Sequence, residues 1–363
     1  MYCSKKVFVL RALSWDRDAR IQRWTSIYKG CTFIYGIWGK GNKEKNIYSI
    51  TSFVRKPKKK LLIAIGYMIF SINCFFFIIL HAKKNDIVIF TDFETLLFGV
   101  FAAKVKGCII HYDIADPFFM SKPIPFKKFW KWIEQFYAKN IELVTIPHEK
   151  RKEIFQIPSK NTVIVENVPN FETNALLGEQ KNNNMVVLGY FGNLEADARG
   201  IEILLKAVIQ NKHLILHLAG KGTLEEKIIN IVQKESRIKY FGEFSYNTLG
   251  QRMRYIDLYI AFYDSGKLLH TYAAPNKYYE HLYFGIPLVT TKIIPQSAAI
   301  SQYKTGYCVE NKEELFDFLL SITTKNLEEF SNYGKNARKL WDKNYANYYS
   351  KVKKEIYDRV VSV

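Results

Sequence analysis

The stretch Met185–Val208, MVVLGYFGNLEADARGIEILLKAV, contains a strand, a glycine-bearing turn and a helix in that order. Its first part is rich in β-branched and aromatic residues, which is typical of a strand. From Gly200 onward the apolar residues recur at intervals near 3.6, which predicts a helix with one apolar face. A strand that leads into a helix through a short turn is half of a βαβ unit, and such units build parallel sheets. This stretch therefore predicts an α/β fold.

The same alternation of strands and helices continues in both directions along the chain. Six further short apolar runs before this stretch are predicted strands, namely KVFVL (6–10), CTFIYGI (31–37), DIVIFTD (86–92), CIIHYD (108–113), IELVTI (141–146) and TVIVEN (162–167). Four more follow it, namely LILHLAG (214–220), IKYFG (238–242), DLYIAF (257–262) and IPLVTT (286–291). Segments between them, such as LEEKIINIVQKE (224–235), have helical spacing.

A polar, Asn-rich segment without periodicity, ETNALLGEQKNNN at Glu172–Asn184, separates two such series and is typical of a linker. A chain of 363 residues is long enough for two domains with separate cores. We therefore expect doubly wound α/β domains at residues 1–170 and 186–340, a linker at 171–185 and a C-terminal helix at 341–363. Two such domains would form a ligand cleft between the carboxyl ends of their sheets.

The charge of the chain is unevenly distributed. The net charge of +19 divides into +15 for residues 1–170, with 28 basic and 13 acidic side chains, and +4 for residues 171–363, with 25 and 21. This imbalance predicts a polyanionic partner for the first half, either nucleic acid or the anionic leaflet of a membrane. A solvated basic surface without a partner is the alternative.

The five cysteines are odd in number and widely scattered. No C-x-x-C pair or His/Cys cluster has the spacing of a metal site. The N-terminus does not resemble a signal peptide. These features predict reduced thiols in a cytoplasmic protein that holds no metal.

An uncharged run of twenty residues, Leu61–Leu80, follows a cluster of basic residues, namely Arg55, Lys56, Lys58, Lys59 and Lys60. Its length suits a transmembrane helix, but a span would separate strands that should pair in one sheet. Instead, the run could form a buried helix, or a helix in the headgroup region of an anionic membrane, where each basic residue contributes about 1 kcal/mol. We favour the last, a monotopic association.

Two stretches of the second half have the composition of an anion site. In the first, Gly192 and Asn193 follow the strand, and Arg199 precedes the helix that Gly200 opens. Glycine lets the backbone approach a ligand, and a helix start offers free N–H groups and a positive dipole end to phosphate. Arg199 could donate two hydrogen bonds to a diphosphate, with Lys221 in the turn LAGKGT within reach of the same cleft. The alternative is a tight turn with a solvated arginine.

The second stretch is YAAPNKYYEHLYFGIPLVTT, Tyr272–Thr291. Asn276 and Lys277 lie near the first turn of its helix, where their donors reinforce the exposed N–H groups toward an anion. Glu280 lies four residues after Asn276 and therefore on the same face. A cation for the diphosphate and a carboxylate for the ribose hydroxyls predict a nucleotide site. The alternative is an intrahelical glutamate beside a solvated lysine.

Taken together, these residues resemble a family. The chain is similar to glycosyltransferases of the GT-B fold, and in particular to the retaining glycosyltransferase family 4 of bacterial polysaccharide synthesis. The resemblance covers nearly the whole chain, through motifs in the family's order: DRDARIQRW (16–24), NDIVIFTD to HYDIADPF (85–118), IELVTI to NVPNF (141–171), GYFG to ILLKA (189–207) and PNKYYEHLYFGIPLV (275–289).

The resemblance implies two Rossmann-like domains that face a cleft, the first for the acceptor and the second for a nucleotide sugar. It implies that Arg199 contacts the donor diphosphate and that Glu280 holds the ribose. The other donor residues it implies are Asn276 and Lys277, by the phosphates or the sugar, and Gly192 and Asn193, which approach the donor with their backbone.

Three positions depart from the family pattern. Tyr272 replaces the first of two glutamates, which touches the transferred sugar, so a retaining or an inverting outcome stays open. Asn193 stands where a basic residue often follows the glycine. Asp113 or Asp116 occupies the region of a first-domain histidine and could act as a base on the acceptor hydroxyl. His111 ranks lower, because in a strand it would point to the opposite face from its neighbours.

We expect a metal-independent hexosyltransferase without a cofactor, which moves a sugar from a UDP- or GDP-sugar to a hydroxyl of a lipid-linked glycan. Stabilisation of the departing diphosphate would be its main catalytic contribution. It would serve the synthesis of a bacterial surface polysaccharide such as a capsule, at the inner face of the cell membrane and without nucleic acid. The alternatives are a sugar-nucleotide epimerase of the same fold and a basic non-enzyme that binds nucleic acid or membrane.

Overall fold

The computed structural model describes residues 5–12, 19–38, 41–42, 46–51, 60–171, 184–196 and 198–361. The chain forms two compact units. Unit 1 consists of Met1–Glu166 and Asn347–Val363, and unit 2 of Asn167–Ala346.

Unit 1 is a parallel sheet with helices on both faces. Its elements within the described ranges are β1 (Lys6–Arg11), α1 (Ala19–Ile27), β2 (Thr32–Trp38), β3 (Ile47–Thr51), α2 (Lys60–His81), β4 (Ile87–Thr91), α3 (Phe93–Val105), β5 (Ile109–Asp113), α4 (Phe118–Ser121), α5 (Lys127–Asn140), β6 (Leu143–Ile146), α6 (Arg151–Phe155), a 3₁₀ turn (Ser159–Asn161), β7 (Thr162–Ile164) and α15 (Tyr348–Val361). The sheet order is β3-β2-β1-β4-β5-β6-β7. The central strands β1 and β4 are almost wholly apolar and buried, as strands covered on both faces must be.

The direction of each crossover decides which face its helix covers. The connections through α2, α3 and α5 all run the same way across the sheet, from β3 toward β6. Right-handed crossovers that run in one direction place their helices on one face. The connection through α1 runs the opposite way, so α1 covers the other face, where α15 contacts it.

Unit 2 is a second parallel sheet with its own core. Its elements are β8 (Val186–Phe191), α7 (Ile201–Gln210), β9 (Leu214–Ala219), α8 (Glu225–Val232), β10 (Ile238–Tyr240), a 3₁₀ turn (Tyr246–Thr248), α9 (Leu249–Met253), β11 (Leu258–Ala261), α10 (Leu268–Thr271), α11 (Asn276–Phe284), β12 (Leu288–Thr291), α12 (Ser297–Gln302), β13 (Gly306–Val309), α13 (Lys312–Ser321), a 3₁₀ turn (Thr324–Asn326) and α14 (Leu327–Asn344). The sheet order is β10-β9-β8-β11-β12-β13. Strands β8, β9 and β11 pack against α7, α8 and α13 in one apolar core.

The predicted class, two doubly wound α/β domains, is confirmed. Each of the eleven predicted strands is present, and two strands, β3 and β13, were not predicted. Both are edge strands: β3 lies at one edge of the sheet of unit 1, and β13 lies at one edge of the sheet of unit 2. Edge strands are short and bury less surface than central ones, so their sequences IYSIT and GYCV have no long apolar run.

The limits of the units differ from the predicted limits at two places. The first unit ends at Glu166, and most of the predicted linker, residues 172–183, lies outside the described residues. The predicted C-terminal helix at 341–363 is two helices, because the N–H groups of Tyr345 and Ala346 both bond to the carbonyl of Trp341 and end α14. The second of them, α15, belongs to unit 1.

Helix α2 contains the long apolar run. By length and composition its part Leu62–His81 is able to cross a membrane. The strands before and after it lie in one parallel sheet, as we expected when we disfavoured a span. The helix is also fixed along α3: Ser71 Oγ accepts the N–H of Phe98 at 2.9 Å, and Lys106 Nζ donates to the carbonyl of Ile79 at 3.0 Å. The basic residues 55–59 lie outside the described residues.

Candidate functional site

The candidate site lies at the carboxyl ends of β8 and β11 in unit 2. These neighbouring strands mark the point where the strand order reverses, since β8 leads to β9 on one side and β11 leads to β12 on the other. Open α/β sheets bind ligands at this point. A cavity of about 230 Å³ opens there. Six of the seven donor-binding residues predicted from sequence line it, namely Gly192, Asn193, Arg199, Asn276, Lys277 and Glu280.

Two glycine turns meet beside β8, and the first of them lines the cavity. Gly192 follows β8 with φ +146°, and its N–H donates to the carbonyl of Ala219 at 2.9 Å. Gly220 follows β9 with φ +138°, and a Cβ there would lie 1.7 Å from the carbonyl oxygen of Gly192. The two turns are therefore in direct backbone contact, which only glycine at position 220 permits.

The exchange Gly220→Ala is expected to lower the free energy of unfolding by about 2 to 3 kcal/mol, because it adds both backbone strain and overlap. Gly242→Ala is the matched control. It also has a positive φ, +70°, but no atom lies within 4 Å of its added Cβ, so it should cost only about 1 kcal/mol. Urea denaturation of the three proteins measures the difference. Equal costs would contradict the backbone contact.

Arg199 reaches the cavity from the residue before the N-cap of α7. The N-cap is Gly200, whose left-handed φ of +68° ends the loop and starts the helix. Phe262 lies against this glycine, 3.1 Å from the position of a Cβ. The guanidinium of Arg199 lies 4.9 Å from the centroid of the Tyr263 ring, within cation–π distance. The loop is thus held against the segment that follows β11.

Lys277 lies in the first turn of α11, whose N-cap is Pro275. Its Nζ donates to the carbonyl of Ile260 at 3.1 Å and lies 3.6 Å from the centroid of the Tyr190 ring. Burial lowers the pKa of Lys277 to about 7; Glu280 acts against this shift and Arg199 adds to it. An anion in the cavity would restore the charged form of this ammonium group. Helix α11 also begins at this place, with the positive end of its dipole beside the cavity.

Glu280 is buried on the same helix, and two tyrosine hydroxyls contact it. Tyr246 donates to Oε1 at 3.0 Å, and Tyr259 donates to Oε2 at 2.8 Å. Burial raises the pKa of Tyr259 far above its usual value, and the carboxylate of Glu280 raises it further. The hydroxyl of Tyr259 therefore stays a donor. A carboxylate has about four acceptor positions, so both oxygens can accept further hydrogen bonds from a ligand.

Sequence reasoning did not find the aromatic lining of this cavity. Tyr190 and Tyr259 come from the buried strands β8 and β11, and Tyr263 and Tyr246 from the loops that follow β11 and β10. The two strand tyrosines sit inside apolar runs, where a tyrosine is usual in a core. The available signal was their position in the two switch-point strands, where Tyr190 lies near the carboxyl end of β8.

Lys221 is the predicted donor residue that does not line the cavity. Its side chain is 63% exposed, and its Nζ lies 3.8 Å from Glu243. The turn LAGKGT does adjoin the site, but through the backbone of Gly220. This turn therefore packs against Gly192, a residue that lines the cavity, and does not line the cavity itself.

The two aspartates predicted as bases in unit 1 have different surroundings. Asp113 is fully buried, where Arg20 Nε donates to it at 2.8 Å and Thr145 Oγ1 at 2.8 Å. Because its carboxylate is buried and already holds these partners, Asp113 cannot reach an acceptor hydroxyl in this arrangement. This corrects its predicted role as a base. The side chain of Asp116 is 55% exposed and accepts from Arg151 at 3.0 Å. Asp116 therefore stays a candidate.

His111, which we ranked lower as a base, is buried in strand β5. Its Nε2 lies 2.9 Å from Thr145 Oγ1, and its Nδ1 lies 3.3 Å from the hydroxyl of Tyr28. Burial lowers its pKa to about 4, so the ring is neutral at pH 7. These contacts describe a core histidine.

The switch point of unit 1 is occupied by a buried ion pair that sequence reasoning did not find. Arg11 at the end of β1 pairs with Asp92, the residue after β4. Asp92 Oδ1 also accepts the N–H groups of Ala115 and Asp116 at 2.8 and 3.1 Å. Burial alone would raise the pKa of Asp92, but Arg11 and the other partners hold it below its usual value. This pair fixes the loop that carries Asp116.

Comparison with known proteins supports a sugar-transfer site. Residues 186–325, which contain every residue of the cavity, match the family described as glycosyl transferases group 1. No curated protein matches the sequence significantly.

Three solved structures are similar over nearly their full length. Anabaena Alr3699/HepE in complex with UDP-glucose has a TM-score of 0.72 at 15% identity, with 99% of this chain and 100% of that chain covered. Sucrose-phosphate synthase from Thermosynechococcus elongatus has 0.69 at 12%, with 99% and 100% covered. WaaG, a glycosyltransferase involved in lipopolysaccharide biosynthesis, has 0.63 at 12%, with 96% and 98% covered. The chain therefore has the GT-B fold, and its residues 186–325 match the family of glycosyl transferases group 1.

Proposed function

We propose that this protein transfers a sugar from a UDP-sugar to a hydroxyl group of a lipid-linked glycan. The observation that carries the proposal is the cavity at the switch point of unit 2. There Arg199, Lys277 and Glu280 line one space, together with Asn276, the first residue of α11. Cations suit a diphosphate, and a carboxylate suits the hydroxyls of a ribose.

The donor diphosphate would bind against Gly192, Arg199 and Lys277. Gly192 has no side chain, and the nearest atom to its missing Cβ is Cε of Lys277 at 3.7 Å, so a phosphate can approach the backbone beside the ammonium group. The start of α11 adds the positive end of the helix dipole. The ribose would donate its two hydroxyls to Glu280, whose oxygens are already oriented by Tyr246 and Tyr259.

The chemical step requires stabilisation of the departing UDP. Bond cleavage at the anomeric carbon places a further negative charge on the β-phosphate, and preorganised donors stabilise that charge in a cavity partly closed to water. Arg199, Lys277 and the amides of α11 supply this stabilisation in our proposal, without a required metal ion or another cofactor. The proton of the acceptor hydroxyl would pass to a base, for which Asp116 is the candidate in unit 1.

The identity of the donor and of the pathway rests on the similar structures. HepE was solved with UDP-glucose, and WaaG takes part in lipopolysaccharide biosynthesis. We therefore propose UDP rather than GDP, membership of glycosyltransferase family 4 and a role in a bacterial surface polysaccharide such as a capsule. The excess of +15 in residues 1–170 and the apolar helix α2 support a location at the inner face of the cell membrane.

Two other functions are less well supported. An epimerase of the same fold would use the same nucleotide cavity, so the cavity alone does not separate it from a transferase; the match to glycosyl transferases group 1 favours the transferase. A nucleic-acid-binding or scaffolding protein would have no use for a buried glutamate beside two cations at a switch point.

A thermal-shift panel of nucleoside diphosphates tests the proposal. UDP at one hundred times its Kd should stabilise the protein by about 2.7 kcal/mol, which raises the melting temperature by several degrees. GDP and ADP at the same concentration should shift it little. If no diphosphate raises the melting temperature, the cavity is not a nucleotide site. If UDP-glucose is isomerised without release of UDP, the epimerase is the correct function.

A further inference from the structure

The large apolar side chains that unit 1 exposes are confined to three helices. Among the described residues of unit 1, every large hydrophobic side chain that is exposed lies on α2, α3 or α5, or at Phe126, the N-cap of α5. On α2 and α3 they are Leu62, Ile65, Met68, Ile69, Ile72, Phe76, Leu80, Phe101 and Val105. On α5 they are Phe129, Trp132 and Phe136. Exposed apolar patches of this extent mark interaction sites.

The exposed residues form a stripe along each helix. On α2 the residues Leu62, Ile65, Ile69, Ile72, Phe76 and Leu80 are three or four apart, and Met68 lies next to Ile69. This spacing places them on one side of the helix, away from the side that packs on the sheet. On α3, Phe101 and Val105 are four apart, and Val105 is 77% exposed. On α5 the spacing from Phe129 to Phe136 is three and then four, and Trp132 is 65% exposed.

The charges exposed on these helices have one sign. Their sequences contain two acidic residues, Glu94 and Glu134, and both are buried. Glu94 pairs with Lys122 at 3.1 Å, and Glu134 accepts the N–H groups of Phe118 and Phe119. The exposed basic residues are Lys104, Lys127, Lys128, Lys131 and Lys139. The face is therefore apolar and basic, without an exposed acid.

The three helices lie side by side on one face of the sheet. Their crossovers run in one direction, and α2 packs along α3 through Ser71 and Lys106. Helix α5 is joined to α3 by the hydrogen bond from the Tyr137 hydroxyl to the carbonyl of Leu97, 3.1 Å long, and by the contact of Trp130 with Phe93. The face is thus one fixed surface and not three separate helices.

We propose that this face, formed by α2, α3 and α5, docks flat on an anionic phospholipid bilayer. Aromatic side chains beside lysines are the composition that suits the interface between headgroups and acyl chains. A second copy of the chain would bring two basic faces together, which repel each other. In this arrangement α2 lies in the plane of the membrane and does not cross it. The proposal rests on the proposed function, since it names the surface through which a lipid-linked acceptor is reached.

The test is binding of the full chain to vesicles of phosphatidylcholine with 30% phosphatidylglycerol, measured by co-sedimentation. The triple variant Phe129→Ser, Trp132→Ser, Phe136→Ser should bind at least about tenfold more weakly, because it removes three interfacial side chains from α5 alone. The variant Lys127→Gln, Lys128→Gln, Lys131→Gln should weaken binding by about a hundredfold at low salt, at roughly fivefold for each lysine. Ile209→Ser, an exposed apolar position of unit 2, is the control and should bind as the wild type does.

A second measurement locates α5 in the bilayer. Trp132→Phe keeps the apolar bulk, so vesicle binding should persist, while the quenching of protein fluorescence by brominated lipid should fall. Unchanged quenching in this variant, or unchanged vesicle binding in the α5 triple variant, would overturn the proposal. So would a wild-type dimer in sedimentation equilibrium that the α5 triple variant converts to a monomer, because the face would then bind a second copy.

The UDP-induced thermal shift of each variant separates the two proposals. All of the variants should keep the shift of the wild type. The exchanged residues of α5 lie in unit 1, and the control position 209 lies in unit 2 but does not line the cavity. A protein that binds vesicles but shows no UDP shift would overturn the proposed function and leave the membrane face intact. The reverse result would overturn the membrane face alone.

Discussion

Glu280→Ala is expected to abolish the thermal stabilisation by UDP and to lower kcat/KM for sugar transfer by about a thousandfold. The carboxylate would accept two charge-assisted hydrogen bonds from the ribose, and their loss removes about 4 kcal/mol of binding to the transition state. The same exchange leaves the buried hydroxyl of Tyr259 without its acceptor, which should lower the free energy of unfolding by about 2 kcal/mol. Thermal-shift titration with UDP and initial rates of UDP release measure the two effects.

Two controls separate the ribose contact from the loss of stability. Glu280→Gln keeps the size of the side chain and one acceptor oxygen, so it should be more stable than the alanine variant and still bind UDP poorly. Glu225 makes an equivalent tyrosine contact outside the cavity, since it accepts from Tyr240 at 2.9 Å. Glu225→Ala should therefore keep UDP binding. Normal UDP affinity in both Glu280 variants would exclude the ribose contact.

Lys277→Met is expected to lower the rate of transfer by about a hundredfold and to remove a proton uptake that accompanies UDP binding. Without ligand, the pKa of Lys277 is about 7 because the group is buried. A bound diphosphate favours the charged form and raises that pKa. At pH 8 the free protein holds the lysine mostly neutral and the complex holds it charged, so binding takes up close to one proton. Affinity for UDP should then fall as the pH rises above 7.

Calorimetric titration of UDP at pH 8, in buffers with different ionisation enthalpies, measures this uptake. The phosphates of UDP are already ionised at that pH, because the second pKa of a phosphate is about 6. Methionine suits the slot between the rings of Tyr190 and Tyr259, so the variant should fold normally. Lys239→Met, at an exposed position of β10, is the control and should keep both the uptake and the rate. Proton uptake that persists in Lys277→Met would assign it to another group.

The local motifs around the cavity of unit 2 could be read from the sequence because they depend on neighbours along the chain. Gly200 does open α7, and Asn276 and Lys277 do lie in the first turn of α11. A helix start or a glycine turn is decided within a few residues. These predictions needed no knowledge of distant contacts.

Predictions that depended on distant partners were less complete. Lys221 lies in a glycine turn after a strand, as predicted. Its side chain nevertheless lies beside Glu243 and outside the cavity. Asp113 ends the predicted strand β5, yet its carboxylate accepts a hydrogen bond from Arg20, 93 residues earlier in the chain. Nothing in the local sequence distinguishes a carboxylate that is free for catalysis from one that is paired. Only the packing of the strands decides this.

By itself the sequence determined the class of the fold, the order of most strands along the chain and the residues of the donor loops, since these follow from periodicity and turn chemistry. The tertiary structure decided which side chains meet. It brings Tyr246 and Tyr259 to Glu280, and it places Arg11 against Asp92 across a sheet. It also decided which side of α2 and α5 packs on the sheet and which stays exposed. Helix α2 is apolar on both its buried and its exposed side, so only the position of the sheet tells the two sides apart.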